Sequence, residues 1–332
     1  MDFGFNDEQS EIKSTAREFL QARFKPEKVR ELAESESPYD DALWKEMSEL
    51  GWPGIAIAEE HGGQGLGVVE LVILLEEMGH ALAPSPYIAN AIAGLVIEAA
   101  GSDQQKSRWL PGIASGEARG AVAMTAGDEP LAGAAEGAAV IVLPHRDGGV
   151  LVEGDDAQLE KVDLIDTARA YYRVKADGGD PLPGDVEAGL QRGAVALAAE
   201  LVGVAQRALD MAVDYAKERE QFDRPIGAYQ AVSHRLADML WEVEEARSLT
   251  LYAAWCADDD PDALPLASHM AKARASDAAS RVTHDAIQTF GGIGFTWEHD
   301  IHFLLKRAKV SAQLMGTSSR HRDRVAALAG LG

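Results

Sequence analysis

Apolar positions in the stretch from residue 189 recur at alternating intervals of four and three: Leu197, Leu201, Val204, Ala208, Met211 and Tyr215 fall on one stripe. That period belongs to a helix with one buried face. Three further helical stretches follow, over 229–256, over 264–290 and from 301 onward. Four long helices in succession predict a four-helix bundle. The first third also reads as helices, joined by Gly/Pro turns. Asn6 or Asp7 is placed to cap the first, and a helix over 39–50 stops at Gly51-Trp52-Pro53-Gly54. The loop 58–65 is too rich in glycine for regular structure, and Gly101-Ser102-Asp103 opens a last helix ending near Ser115-Gly116.

The middle of the chain changes period. Residues 138–143, 149–153 and 168–174 are β-like runs between turn residues, and four or five strands are expected. That number suits a small sheet better than a complete large barrel. The pattern therefore predicts a mainly α protein in three zones: a helical domain over 1–117, a reduced β domain over 118–187 and a four-helix bundle over 188–332.

Composition narrows the function classes. The chain has 332 residues, 46% of them hydrophobic and 26% charged, as in ordinary globular proteins with a large core. A formal net charge of −23 argues against general binding to nucleic acid or anionic membrane, since the field repels phosphate. Lys306, Arg307, Lys309, Arg320, Arg322 and Arg324 form a local basic set that could still hold a small anion. The start of the chain is acidic where a signal peptide would be basic, and the apolar stretch 88–97 is too short to span a bilayer. The single cysteine, Cys256, rules out an internal disulfide framework and suits a reducing cytoplasm. Asp258-Asp259-Asp260-Pro261-Asp262 reads as a solvated turn, and no histidine spacing supports a metal site.

Candidate chemistry lies in three short segments. Glu218-Arg219-Glu220-Gln221-Phe222 ends a helix; Gln288-Thr289-Phe290-Gly291-Gly292 turns another into a glycine loop; Leu314-Met315-Gly316-Thr317-Ser318 follows the last. A planar, permanently charged guanidinium suits a pyrophosphate, and glycines let a ligand come close to the backbone. Taken together these strings resemble the flavin-binding signature of the acyl-CoA dehydrogenase superfamily, and the order of helices, strands and bundle matches that family's layout along the whole chain.

The resemblance implies α,β-dehydrogenation of an acyl-CoA thioester with FAD as electron sink. It implies cofactor contacts from Arg219, Gln221, Phe222, Gln288, Gly291, Gly292 and Thr317. In the family the Arg219 and Gln288 motifs reach across a dimer interface to the neighbour's flavin. The departures are as informative. Met315 stands where the family commonly has its catalytic glutamate, and the alternative base position, at the start of the first bundle helix, is Gly193. Glu187 and Glu200 would serve only under a different alignment. Thr125-Ala126-Gly127-Asp128-Glu129-Pro130 departs from the family's middle-domain signature, no Trp lies between Trp109 and Trp241, and Asp223 replaces a usual glycine.

A chain that keeps what is donated to a neighbour and loses its own base reads as one subunit of a heteromeric acyl-CoA dehydrogenase. Its partner would be a homologous catalytic chain in a heterotetramer, acting on a bulky or steroid-derived acyl-CoA. Two alternatives remain at this level: a self-sufficient flavoenzyme with an unrecognised base, and a flavin-free acyl-CoA-binding scaffold.

Overall fold

The computed structural model describes residues 4–127 and 129–331, so Asp128 of the altered middle-domain segment lies outside the described residues. Six helices come first: α1 (Asp7–Arg23), α2 (Pro26–Ala33), α3 (Asp41–Glu49), α4 (Val68–His80), α5 (Tyr87–Ala100) and α6 (Asp103–Ser115). Asn6 caps α1 through a reciprocal capping box with Gln9, and Ser102 does the same for α6 with Gln105. The apolar stretch 88–97 is the body of α5, whose side chains are nearly all inside the main core.

Seven strands follow: β1 (Gly120–Val122), β2 (Leu131–Gly133), β3 (Val140–His145), β4 (Gly148–Glu153), β5 (Gln158–Val162), β6 (Tyr171–Lys175) and β7 (Asp180–Pro181). They form two small sheets, ordered β1-β3-β4-β7 and β2-β6-β5, where four or five strands in one sheet were expected. The missed strands explain the shortfall. Three are two or three residues long, too short to show alternation, and β5 is polar and largely exposed.

The bundle consists of α7 (Val186–Glu218), α8 (Gln230–Asp259), α9 (Leu264–Phe290), α10 (Ile301–Ser311) and α11 (Ser318–Leu328), with a hairpin of β8 (Glu220–Gln221) and β9 (Arg224–Pro225) after α7. The last helical stretch is thus two helices with a break that contains Met315. Among the described residues one helix, α7, is long and apolar enough to cross a membrane, but 78% of its apolar window is buried inside the fold.

The N-terminal helices join the bundle through a backbone-to-backbone crossing. A Cβ on Gly203 would lie 1.9 Å from the Glu76 carbonyl oxygen, and one on Gly79 would lie 2.2 Å from that of Glu200. Only glycine permits α4 and α7 to approach so closely. The acidic turn contributes as well: the Asp258 carboxylate accepts from the Val68 and Val69 N–H groups at 2.8 and 3.0 Å. It caps α4 from the far end of α8, so that residue is not merely solvated as expected.

Candidate functional site

The break between α10 and α11 holds Met315 with φ 58° and Gly316 with φ 111°. Left-handed backbone at a non-glycine residue persists only when its surroundings hold it. Here the Met315 N–H donates to the Met124 carbonyl at 2.6 Å, tying the loop to the β domain. Lys272, on α9 and without solvent exposure, points its ammonium at the carbonyls of Ser311, Ala312 and Gly316, at 3.3, 3.4 and 3.5 Å, and at the Ser276 hydroxyl at 3.0 Å. No carboxylate pairs with it among the described residues, and burial pushes its pKa down to about 7. Beside it the Nδ1 atoms of His269 and His321 lie 2.8 Å apart, and burial pulls His321 down to about 4.

The two positions where a base was sought are neighbours in space. A Cβ on Gly193 would sit 3.1 Å from the Met315 terminal methyl and 2.7 Å from Ile92 Cγ2. Both are filled by apolar or hydrogen side chains that accept no proton. Next to them, Met124, Leu314, Arg169, Tyr171 and Tyr39 close around a space of about 10 Å³. That is about what one water molecule needs. Burial pushes the Tyr39 hydroxyl up to about 12 and raises Tyr171 as well, so both rings are neutral.

Glu200, the carboxylate seven residues beyond Gly193 on α7, is 3% exposed and fully engaged. It pairs with Arg169, accepts from Arg307 at 3.4 Å and accepts from the Ser311 hydroxyl at 3.2 Å. Arg307 also donates to Asp166 at 2.6 Å. Two cations and two anions thus form a buried neutral cluster joining the β domain to α7 and α10. Arg307 therefore does not belong to a surface basic set, contrary to the expectation from its neighbours Lys306 and Lys309. Glu200 is therefore not a free base. Glu187 is exposed in the first turn of α7.

A second group lies at the other end of α7 and α9. Arg219 terminates α7 and the hairpin behind it turns through Phe222 and Asp223, both with positive φ (53° and 62°). A two-residue turn of that hand favours glycine at its second position, and an aspartate is among the residues that tolerate it. Tyr229 ties the turn down by donating to the Gln221 carbonyl at 3.0 Å. The rings of Tyr215 and Phe290, 4.5 Å apart, hold this hairpin beside the Gln288–Gly292 turn. Gln221 and Gln288 are exposed, and Cβ atoms on Gly291 or Gly292 would meet nothing within 4 Å. Only Gly291, with φ 65°, is required by the chain's own backbone. Around this open end Phe222, Phe295, Trp297 and Ile293 are 87%, 77%, 52% and 45% exposed.

Thr317 is not part of that group. Its side chain accepts from the Arg320 N–H at 3.3 Å and caps α11. Its loop is held by Lys272, which is about 27 Å along α9 from Phe290 at 1.5 Å per residue.

Sequence reasoning missed Arg169, Lys272 and the Glu200–Arg307 pair. A signal for Arg307 existed: with Leu304 and Ser311 it falls on the buried face of α10 at helical spacing. Lys272 likewise lies among alanines on the inner face of α9. Among the described residues no three His, Cys, Asp or Glu side chains converge as metal ligands.

Comparison with known proteins bears on the same parts of the chain. Residues 6–117 match the family model for the acyl-CoA dehydrogenase N-terminal domain, and residues 185–329 that for the acyl-CoA dehydrogenase C-terminal domain. The chain is 34% identical to acyl-CoA dehydrogenase IpdE2 of Mycolicibacterium smegmatis over 94% of its own length and 95% of the relative's. Among solved structures it resembles the Tcur3481-Tcur3483 steroid ACAD, with 30% identity, a TM-score of 0.87 and 98% coverage of both chains. It resembles the ChsE4-ChsE5 complex from Mycobacterium tuberculosis with 25% identity, a TM-score of 0.89 and full coverage of both chains. The Met315 loop and the open glycine-turned end thus sit on a chain that belongs to the acyl-CoA dehydrogenase family.

Proposed function

We propose that this chain is the base-lacking subunit of a heteromeric, FAD-dependent acyl-CoA dehydrogenase. The observation that carries the reading is the contact of Met315 with Gly193, two base positions filled without a carboxylate, beside a space closed to about 10 Å³. A homodimer of such chains would hold no base at either site. The opposite end of the chain is built differently. Arg219 makes no ion pair among the described residues, the two glycines open onto free space and four large apolar side chains stand exposed around them. Three of the four fall within residues 293–297, and such exposure of large apolar side chains accords with a surface covered by another chain.

These residues fit a flavin held mainly by a partner. Arg219 would pair with its pyrophosphate; Gln221, Phe222 and Gln288 would flank it; Gly291 and Gly292 would let it approach the backbone. Thr317, on a separate face, would contact any flavin bound by this chain itself. When bound, the flavin supplies the two-electron sink for removal of hydrogen from Cα and Cβ of the thioester. The proton acceptor would come from a homologous catalytic chain, two of each making a heterotetramer. Two relatives carry paired names, and one is called a steroid ACAD, which supports a bulky acyl-CoA as substrate. A cytoplasmic location accords with the single, buried Cys256.

The test is flavin stoichiometry by visible absorbance across a size-exclusion peak. The chain alone should carry little flavin; co-expressed with its partner, about one flavin per pair of unlike chains. Arg219→Ala should lower occupancy of the complex while leaving the bundle folded. One flavin per chain in the isolated protein would refute the reading.

A further inference from the structure

A cleft of about 240 Å³ opens where the end of α1 and the start of α2 pass over α4, α7 and α10. It shares no lining residue with the closed space beside Met315 or with the Arg219–Gln288 face. Its floor is apolar: Leu20, Phe24, Val29, Leu82 and Phe303 are each nearly fully buried. The mouth is ionic, and its charges do not balance. Glu77 is taken by a two-pronged pair with Arg17, at 2.8 and 2.9 Å, and Asp300 by Arg30. Asp210, one turn from Arg207, is taken by His80 at 3.0 Å and Gln206 at 2.7 Å. Lys25 and Arg207 remain, with no carboxylate in ion-pair distance among the described residues.

Leu82 adds to the picture. It follows α4 with φ 51°, and the Leu82 and Ala83 N–H groups close the helix end on Gly79 and Met78. This turn is usually made by glycine. A glycine would relieve the strain and remove one wall of the cleft.

Two unmatched cations over an apolar hollow, in a chain of net charge −23, are complementary to an anion with an apolar body. At about 30 Å³ per water-sized group the space takes about eight such groups, the carbons of an octyl-length chain whose carboxylate oxygens stay at the ionic mouth. We propose that this cleft binds a small amphipathic monocarboxylate, with Arg207 and Lys25 pairing its carboxylate and the α1–α2 wall covering its alkyl body.

The test is titration calorimetry on the full chain with octanoate, octanol and octanoyl-CoA as probes. Octanoate should bind saturably at one site. Octanol and octanoyl-CoA, which lack a free carboxylate, should bind this site about tenfold more weakly. The double variant Arg207→Gln, Lys25→Gln changes only half-exposed or exposed side chains. It should weaken octanoate about fivefold to tenfold while leaving octanol unchanged. Met211→Trp, which fills the hollow, should abolish both. Absence of saturation at millimolar octanoate, equal affinity for octanol, or an unchanged affinity in the double variant would each overturn the proposal.

Discussion

Replacing Lys272 by methionine keeps the length of the side chain and removes its charge. In the folded chain this lysine is wholly buried, and its pKa falls from 10.5 to about 7 because burial disfavours the ammonium. A folded pKa below the unfolded one means that the unfolded chain binds the proton more tightly. The titration of Lys272 therefore costs the fold nothing above its unfolded pKa, and its penalty grows as pH falls toward the folded pKa of about 7. With those two values, raising the pH from about 7 to about 9 should strengthen folding by about 2 kcal/mol through this group alone. Lys272→Met abolishes that slope. The variant also leaves the carbonyls of Ser311, Ala312 and Gly316 without their donor, at a cost of about 1–3 kcal/mol. The stability of the variant relative to the parent should thus be about 2 kcal/mol more favourable near pH 7 than near pH 9. Urea unfolding at both pH values, read from midpoints and slopes, measures the difference of differences, in which other titrating groups cancel. Parallel stability profiles for the two proteins would refute the reasoning, since the lysine would then keep its ordinary pKa.

Arg307→Leu strands the Asp166 carboxylate in the interior, leaves Glu200 with Arg169 alone, and should cost about 3–5 kcal/mol in urea unfolding. A loss below about 1 kcal/mol would mean that water reaches this cluster. Met315→Glu should restore no dehydrogenation in the chain alone, because the adjoining space is closed; oxidation of an acyl-CoA with an artificial electron acceptor would contradict this. Asp223→Gly relieves a left-handed aspartate at φ 62°, offset by the extra freedom of glycine when unfolded. A net gain of a few tenths to about 1 kcal/mol is expected, and a loss would show that the aspartate side chain holds the hairpin.

Helices were readable wherever the apolar period ran long enough. The range 264–290 coincides with α9, and 229–256 differs from α8 by a few residues at its end. The β domain was readable only in β3, β4 and β6, since strands of two or three residues carry no period. The site was legible as a set of absences. That Met315 and Gly193 accept no proton follows from residue identity, whereas their mutual contact needed the fold. Asp258 and Arg307 mark the limit of local reading, because an acidic run and a basic run look solvated whatever they touch.

The sequence by itself determined the helical zones, the family signature and the presence of Met315 and Gly193 at the two positions where a base was expected. These depend on residue identity and on periods of a few residues, which are local properties of the chain. The tertiary structure decided which charges are buried and paired, that Lys272 holds the Met315 loop, that the space between Met124 and Leu314 is only about 10 Å³, and that the open end stands apart from Thr317. Those are decided by contacts between residues far apart in sequence, such as Asp166 with Arg307, whose energy arises only when packing removes both groups from water.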